Sequence, residues 1–167
     1  MKILHIINTL AIGGAQSVLT QLLEGWGNGS DQQMVISLRN REQLSGRIEA
    51  LNIPVEHINL QPDKVELVKF LQLVRIIKRY KPDIVQTWLY HADLIGGLAV
   101  RLAGLAPIVW GVHHTMTNRH SVKSSTFNIV RILSLLSNFL PSHIICCSQS
   151  AYQTHVDFGY KKNKMSV

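Results

Sequence analysis

Short apolar runs and stretches with helical periodicity take turns along the whole chain, and this alternation constrains the fold more than any other feature. The run KILHII is nearly continuous in apolar residues and ends at the turn-forming Asn8, as a strand buried on both faces does. Val18, Leu19, Leu22, Leu23 and Trp26 then recur at helical spacing. MVISL, VEHINL, DIVQTW, PIVWGV and HIICCS read as five further strands. Between them lie the short helical stretch QLSGRIEALN and an amphipathic helix from Lys64 to Tyr80. Further helices run from about Ala92 to Ala103, from Ser124 or Ser125 to Leu140, and from Ser150 to Gly159. Pro82 and Gly104 stop two of them. Strands that alternate with helices need crossover connections, and crossovers give parallel strands with helices packed on both sides. The predicted fold is α/β: a doubly wound, Rossmann-like, mostly parallel sheet, forming one domain over residues 1–167.

The charge is distributed unevenly. The net charge is +7, and no acidic residue lies between Asp93 and Asp157, whereas Arg101, Arg119, Lys123 and Arg131 do. A one-sided positive field favours anionic partners such as nucleotide phosphates, lipid head groups or nucleic acid. The chain has no basic residues interleaved with stacking aromatics, no helix-turn-helix pattern and no zinc pattern, so no nucleic-acid partner is expected. Cys146 and Cys147 are adjacent and would make a strained disulfide, so they read as two buried, reduced thiols of a cytosolic protein. Met1 and Lys2 lead straight into the first strand without a cleavable small-residue site, so no signal peptide is expected. The segment from Leu94 to Val112 imitates a membrane span, but Arg101, Gly104 and Pro107 make it a helix followed by a buried strand.

In an open parallel sheet, ligands bind outside the carboxyl ends of the strands. Here those ends are Asn8 to Gln16, Trp88 to Asp93, His113 to His120, and Ser148 to Ser150. Gly13 and Gly14 open the first helix, where a bare backbone and unpaired N–H groups suit an anion; a tight turn with no ligand has the same sequence. G-x-G-x-x-G is absent and no acidic residue closes the second strand, which argues against a dinucleotide site. One of His113 and His114 points into the cleft, where an imidazole can hydrogen-bond hydroxyls or pass a proton. Trp88 and Tyr90 beside His91 make either a sugar-stacking shelf or core aromatics at a helix start. His5 is mid-strand and belongs to the core, and Ser148 and Ser150 read as helix caps. His91, His113, His114 and His120 have no ligand spacing and no partnering thiols, so no metal is expected. The helix after Ser125 is amphipathic, with Arg131 on its flank and Arg119 and Lys123 before it. It packs on the sheet or lies on an anionic membrane.

Four stretches, in order, resemble the N-terminal half of a family-4 retaining glycosyltransferase of the GT-B type. They are ILHIINTLAIGGAQ, PDIVQTWLYHADLIGGLAVRLAG, PIVWGVHHT and IICCSQSAYQTHVDFGYKKNKMSV. The resemblance implies transfer of a sugar from a nucleotide sugar to an acceptor hydroxyl with retention, in polysaccharide or lipid-linked glycan synthesis. The leaving diphosphate is then stabilised electrostatically, with no metal and no cofactor beyond the donor itself. It implies that Gly13 and Gly14, with Gln16 as a further donor-phosphate or cleft residue, lie across the interdomain cleft from the donor diphosphate, near the acceptor, and that His113 is the catalytic-site histidine contacting the transferred sugar, with His114 competing for the role. Asn8, Trp88, His91 and His114 are the candidates for acceptor or sugar contacts. Gln86 and Trp88 stand where many members carry histidines, which leaves the acceptor class open. The resemblance also implies a donor-binding C-terminal domain that these 167 residues lack, an isolated fragment without turnover, and a cytoplasmic location, peripheral at the inner membrane face. Arg119, Lys123 and Arg131 are the membrane-facing candidates. A reading from another class is a self-sufficient Rossmann-like module that docks on an anionic membrane or a partner protein.

Overall fold

The computed structural model describes residues 1–26, 30–61, 66–104, 106–115 and 124–167. Arg119, His120 and Lys123 lie outside the described residues. The strands are β1 (Lys2–Ile7), β2 (Gln32–Ser37), β3 (Val55–His57), β4 (Ile84–Trp88), β5 (Ile108–Val112), β6 (His143–Cys146) and β7 (Met165–Ser166). The helices are α1 (Gly14–Trp26), α2 (Ser45–Glu49), α3 (Leu67–Tyr80), α4 (Tyr90–Ala103), α5 (Ser124–Leu136) and α6 (Gln149–Asp157). All pairings are parallel, in the order β3-β2-β1-β4-β5-β6-β7. The doubly wound expectation is therefore met, and the strand order reverses between β1 and β4.

Strand parity sorts the core. Leu4 and Ile6 of β1 face α3, α4 and α5 in one cluster with Leu73, Ile77, Val100 and Leu133. Ile7 faces the other way, with Leu19 and Leu23 of α1 and Ile48 of α2. Small residues let α4 lie close to the sheet. A Cβ on Gly96 would come within 3.0 Å of Ile6, and one on Gly97 within 2.8 Å of Leu140. Gly104 ends α4 at φ 72°, and Lys81 ends α3 at φ 53° with Pro82 behind it.

Three expectations change. Among the described residues seven strands form where six were expected, because Met165 and Ser166 pair with Ile144 and Ile145 in a strand too short to show periodicity. α5 stops at Leu136 rather than Leu140. Ser137 turns its hydroxyl back to the Ser134 carbonyl, at 2.6 Å, and Leu140 is buried from the turn that follows. Cys146 is buried but Cys147 is exposed, since neighbours at a strand end point to opposite sides; both thiols are free. The span-like segment from Leu94 to Val112 divides into α4 and β5 as expected, and no helix among the described residues is long and apolar enough to cross a membrane.

Candidate functional site

The loops after β1, β4 and β5 come together at the carboxyl edge of the sheet, around the point where the strand order reverses. The loop after β1 is fastened from outside. The Thr9 hydroxyl donates to Glu42 Oε2, the Leu10 N–H donates to the same oxygen at 2.7 Å, and Leu44 N–H reaches the Leu10 carbonyl at 3.0 Å. α1 then begins at Gly14, which is exposed and has open space where a side chain would start. Gly13 is closed in: a Cβ there would stand 2.6 Å from Gln16 Oε1. Gln16, expected to face the donor, is only 7% exposed. Its side chain packs back against Gly13, because the two residues from Gly14 to Gln16 turn it about half-way round the helix, away from the open side. Gly14, at the start of α1, is left facing solvent, and the bare backbone at a helix N-terminus suits an anion.

Trp88 is no shelf. It is 2% exposed, since its place in β4, paired with Ile7, turns it into the α1 face of the core. Its indole N–H donates to His5 Nδ1 at 3.3 Å, so His5 carries its proton on Nε2 and donates to Gln33 Oε1 at 3.1 Å. This confirms His5 as a core residue. On the other side Trp88 stacks on His113, with centroids 5.0 Å apart and planes at 17°. The His113 ring folds back over Gly111, where a Cβ would be 3.3 Å from Nε2. His113 is half-buried, and burial, helped by His114, holds its pKa below the usual imidazole value. It is a neutral hydrogen-bonding ring near pH 7, seated on an aromatic platform.

His114 is exposed and lies beside Tyr90, 5.9 Å between centroids. Tyr90 itself is buried and hydrogen-bonds His155 at 2.8 Å. His155 Nδ1 meets the Ala151 carbonyl at 2.7 Å, so Nδ1 donates and Nε2 accepts from the tyrosine. The two adjacent histidines are thus parted: His113 lies over Trp88 near the reversal point, and His114 towards α6. His91 is half-buried, and burial followed by the nearby Arg39 charge lowers its pKa. Asn8 is half-buried in a groove of about 480 Å³ that also holds Arg39 and Glu42.

Four residues of this region escaped the sequence reading. Arg39 and Glu42 follow β2, a strand end noted only for its missing acid. Gly111 makes room for His113. Leu89 stands at φ 72°, ψ 151° just ahead of α4, a conformation that costs a non-glycine residue about 1–3 kcal/mol and is found where backbone placement matters to a site. Nothing in the sequence signals that strain.

Other candidates are structural. The Ser148 hydroxyl caps α6 by accepting from Ala151 N–H at 3.1 Å, whereas Ser150 lies within that helix. Asp93 is 1% exposed, accepts from Thr87 at 2.5 Å, and burial raises its pKa well above the carboxylate range. Burial also pushes the Cys146 thiol up to about 11, which makes it inert near neutrality. α5 buries Val130 and Leu133, so it packs on the sheet, while Arg131 is exposed. Among the described residues no three His, Cys, Asp or Glu side chains gather as metal ligands do. A hollow of about 630 Å³ opens at the opposite edge beside Asp31, Asn52 and Tyr80. That edge carries none of the converging loops, so the functional assignment stays with the carboxyl ends.

The family model for Glycosyltransferase Family 4 matches residues 12–167. The chain belongs to glycosyltransferase family 4. No curated protein sequence gives a significant match. Among solved structures, this family-4 chain is similar to Anabaena HepE, crystallised with UDP-glucose. The TM-score is 0.81 at 21% identity, over 100% of the chain and 43% of HepE. It is also similar to WaaB, a lipopolysaccharide outer core galactosyltransferase, at TM-score 0.67 and 15% identity, over 100% and 45%. The UDP-GlcNAc 2-epimerase of Methanocaldococcus jannaschii follows at TM-score 0.65 and 17% identity, over 100% and 45%. Likeness at these identities shows the fold: one Rossmann-like half of a GT-B architecture. A galactosyltransferase and an epimerase share it, so fold alone does not select the reaction. The family-4 chain spans less than half the length of these neighbours.

Proposed function

We propose that the carboxyl edge of this sheet is the acceptor-side wall of a nucleotide-sugar glycosyltransferase cleft, with a second, donor-binding domain as the other wall. The observation that carries this reading is the pairing of an open glycine turn at the start of α1 with a histidine seated on Trp88, at one sheet edge in a family-4 chain. The reaction is transfer of a sugar to an acceptor hydroxyl with retention, in the assembly of a polysaccharide or lipid-linked glycan. The N–H groups at Gly14 and the positive end of α1 face the leaving diphosphate and offset the charge that grows on it. His113 is the catalytic-site residue that contacts the transferred sugar; its neutral ring hydrogen-bonds a hydroxyl and its stacking fixes the angle. HepE is described in complex with UDP-glucose, which supports a UDP-sugar as donor. Closure of the two walls excludes water and so suppresses hydrolysis.

The test is transfer by a protein that carries this chain as its first domain. The product's anomeric proton should show the donor's configuration, and His113→Ala should lower kcat about a hundredfold with donor KM little changed. An inverted product, or unchanged kcat in the variant, would overturn the reading. The chain alone should release no UDP from UDP-glucose.

A surface contact accompanies this reading. Leu98 and Leu102 of α4, Leu135 of α5 and Phe139 in the turn that follows it are exposed, and Arg101 donates to the Phe139 carbonyl at 2.6 Å among them. Apolar side chains beside Arg101 and Arg131 favour docking on the anionic inner face of a membrane. Co-sedimentation with phosphatidylglycerol vesicles should fall when both arginines become glutamate.

A further inference from the structure

The groove on the β2 side of the cleft holds Asn8, a candidate sugar contact, and the Thr9–Glu42 clamp, but its other polar residues serve none of the roles assigned so far. Its volume is about 480 Å³, and it is lined by Asn8, Thr9, Arg39, Asn40, Glu42 and Gln61, with Leu60 as the apolar wall. Three amides, a hydroxyl and two charges make it a place for a hydrophilic ligand, not for a lipid chain. The two charges are engaged differently. Glu42 is turned towards the glycine loop, where Oε2 accepts both the Thr9 hydroxyl and the Leu10 N–H. Arg39 commits one N–H, from Nη1, to the Leu60 carbonyl at 2.7 Å. Among the described residues no carboxylate lies within 4.0 Å of its guanidinium. Arg39 is half-buried, so this charge has given up part of its water without gaining a carboxylate partner among the described residues. A guanidinium so placed keeps a planar fork of donors for an incoming anion. Among the described residues no other acidic side chain lines the groove, and His91, at the start of α4, lies close enough to feel the Arg39 charge.

We propose that this groove binds a negatively charged group, a phosphate ester or a carboxylate, carried on the acceptor sugar, with Arg39 as its ion partner and Asn8, Asn40 and Gln61 bonding the hydroxyls beside it. The word acceptor rests on the transferase reading; the anion site does not. Arg39 is then a specificity-determining residue, which selects acidic acceptors over neutral ones of the same shape.

The experiment is a titration of the isotopically labelled 167-residue chain, read at its backbone amides, with glucose 6-phosphate, glucuronate and methyl glucoside in turn. One of the two acidic sugars should shift Asn8, Asn40 and Gln61 saturably, at an affinity roughly tenfold or more above methyl glucoside. A response to the phosphate alone assigns an ester, and a response to glucuronate alone assigns a carboxylate. Arg39→Gln should abolish the preference and Arg39→Lys should keep part of it. Equal binding of all three sugars, shifts confined to other parts of the chain, or a preference intact in Arg39→Gln would overturn the inference. If Arg39→Gln unfolds, Asn40→Asp puts a negative charge in the groove and should weaken the acidic sugar about fivefold or more. No weakening in that variant would equally overturn it. Sugar transfer from UDP-glucose by a protein that carries this chain as its first domain separates the two readings. Transfer there with no acidic-sugar response in the chain refutes the groove alone. An acidic-sugar response in the chain with no transfer by that longer protein upholds the groove and refutes the transferase cleft.

Discussion

Acidification should weaken the fold through His5. This ring is 1% exposed, and burial holds its pKa down at about 4, against 6.5 for an exposed imidazole, while the Gln33 bond opposes the shift. The hydrogen bonds supply a further reason. Trp88 donates to Nδ1, so a second proton there would face an N–H and break the contact. Between pH 6.5 and 4 the unfolded chain holds a proton on His5 that the folded chain does not. Stability is therefore full above 6.5, falls as pH drops through that window, and levels off below 4. At about 1.4 kcal/mol per pH unit, the loss from this one ring reaches roughly 2 kcal/mol by about pH 4.5 and about 3 kcal/mol in full. His155, fully buried and also held down by burial, adds loss in the same direction. Urea denaturation followed by tryptophan fluorescence should show the loss. His5→Asn, whose carbonyl can still accept from Trp88, should lose roughly 2 kcal/mol less between about pH 7 and 4.5. Equal losses in both proteins, or a His5 resonance that titrates near 6.5, would refute the reasoning.

Gly14→Ala should leave stability unchanged or raise it by up to about 1 kcal/mol, because the added methyl meets nothing and the unfolded chain loses freedom. The same methyl should weaken nucleotide-sugar binding about tenfold by holding the diphosphate off the backbone, as thermal melts and titration would show together. Gly111→Ala should cost about 1–3 kcal/mol in urea denaturation, since its Cβ would lie 3.1 Å from the Thr87 carbonyl. It should also lift His113 off Trp88 and return its pKa upward, which NMR can follow. Tyr90→Phe leaves His155 Nε2 buried without its donor and should cost about 1–3 kcal/mol in the same assay.

Most of the fold was legible because period and punctuation carry it: KILHII is apolar throughout, and Gly104 and Pro82 stop their helices. β7 was not, since two residues show no period. The burial of Trp88 is a matter of parity against Ile7, visible only once the pairing of β1 with β4 is known. The site was legible as a set of loops and poorly legible as a geometry. Gly14 and His113 follow from strand ends, but the clamp from Glu42 to Thr9 joins residues far apart in the chain. Likewise, Gln16 sits next to the glycines in sequence, yet about half a helical turn carries it away from the open side, and the lack of a carboxylate partner for Arg39 among the described residues depends on what surrounds it in space.

The central claim is that the ends of β1, β4 and β5 form one wall of a nucleotide-sugar cleft. Its most direct test is a difference map of a protein containing this chain, crystallised with UDP-glucose. The account expects the diphosphate against the Gly14 N–H and the sugar within hydrogen-bond reach of His113. Density for the nucleotide at the opposite edge of the sheet, near Asp31 and Tyr80, with the loops after β1 and β5 empty, would contradict it.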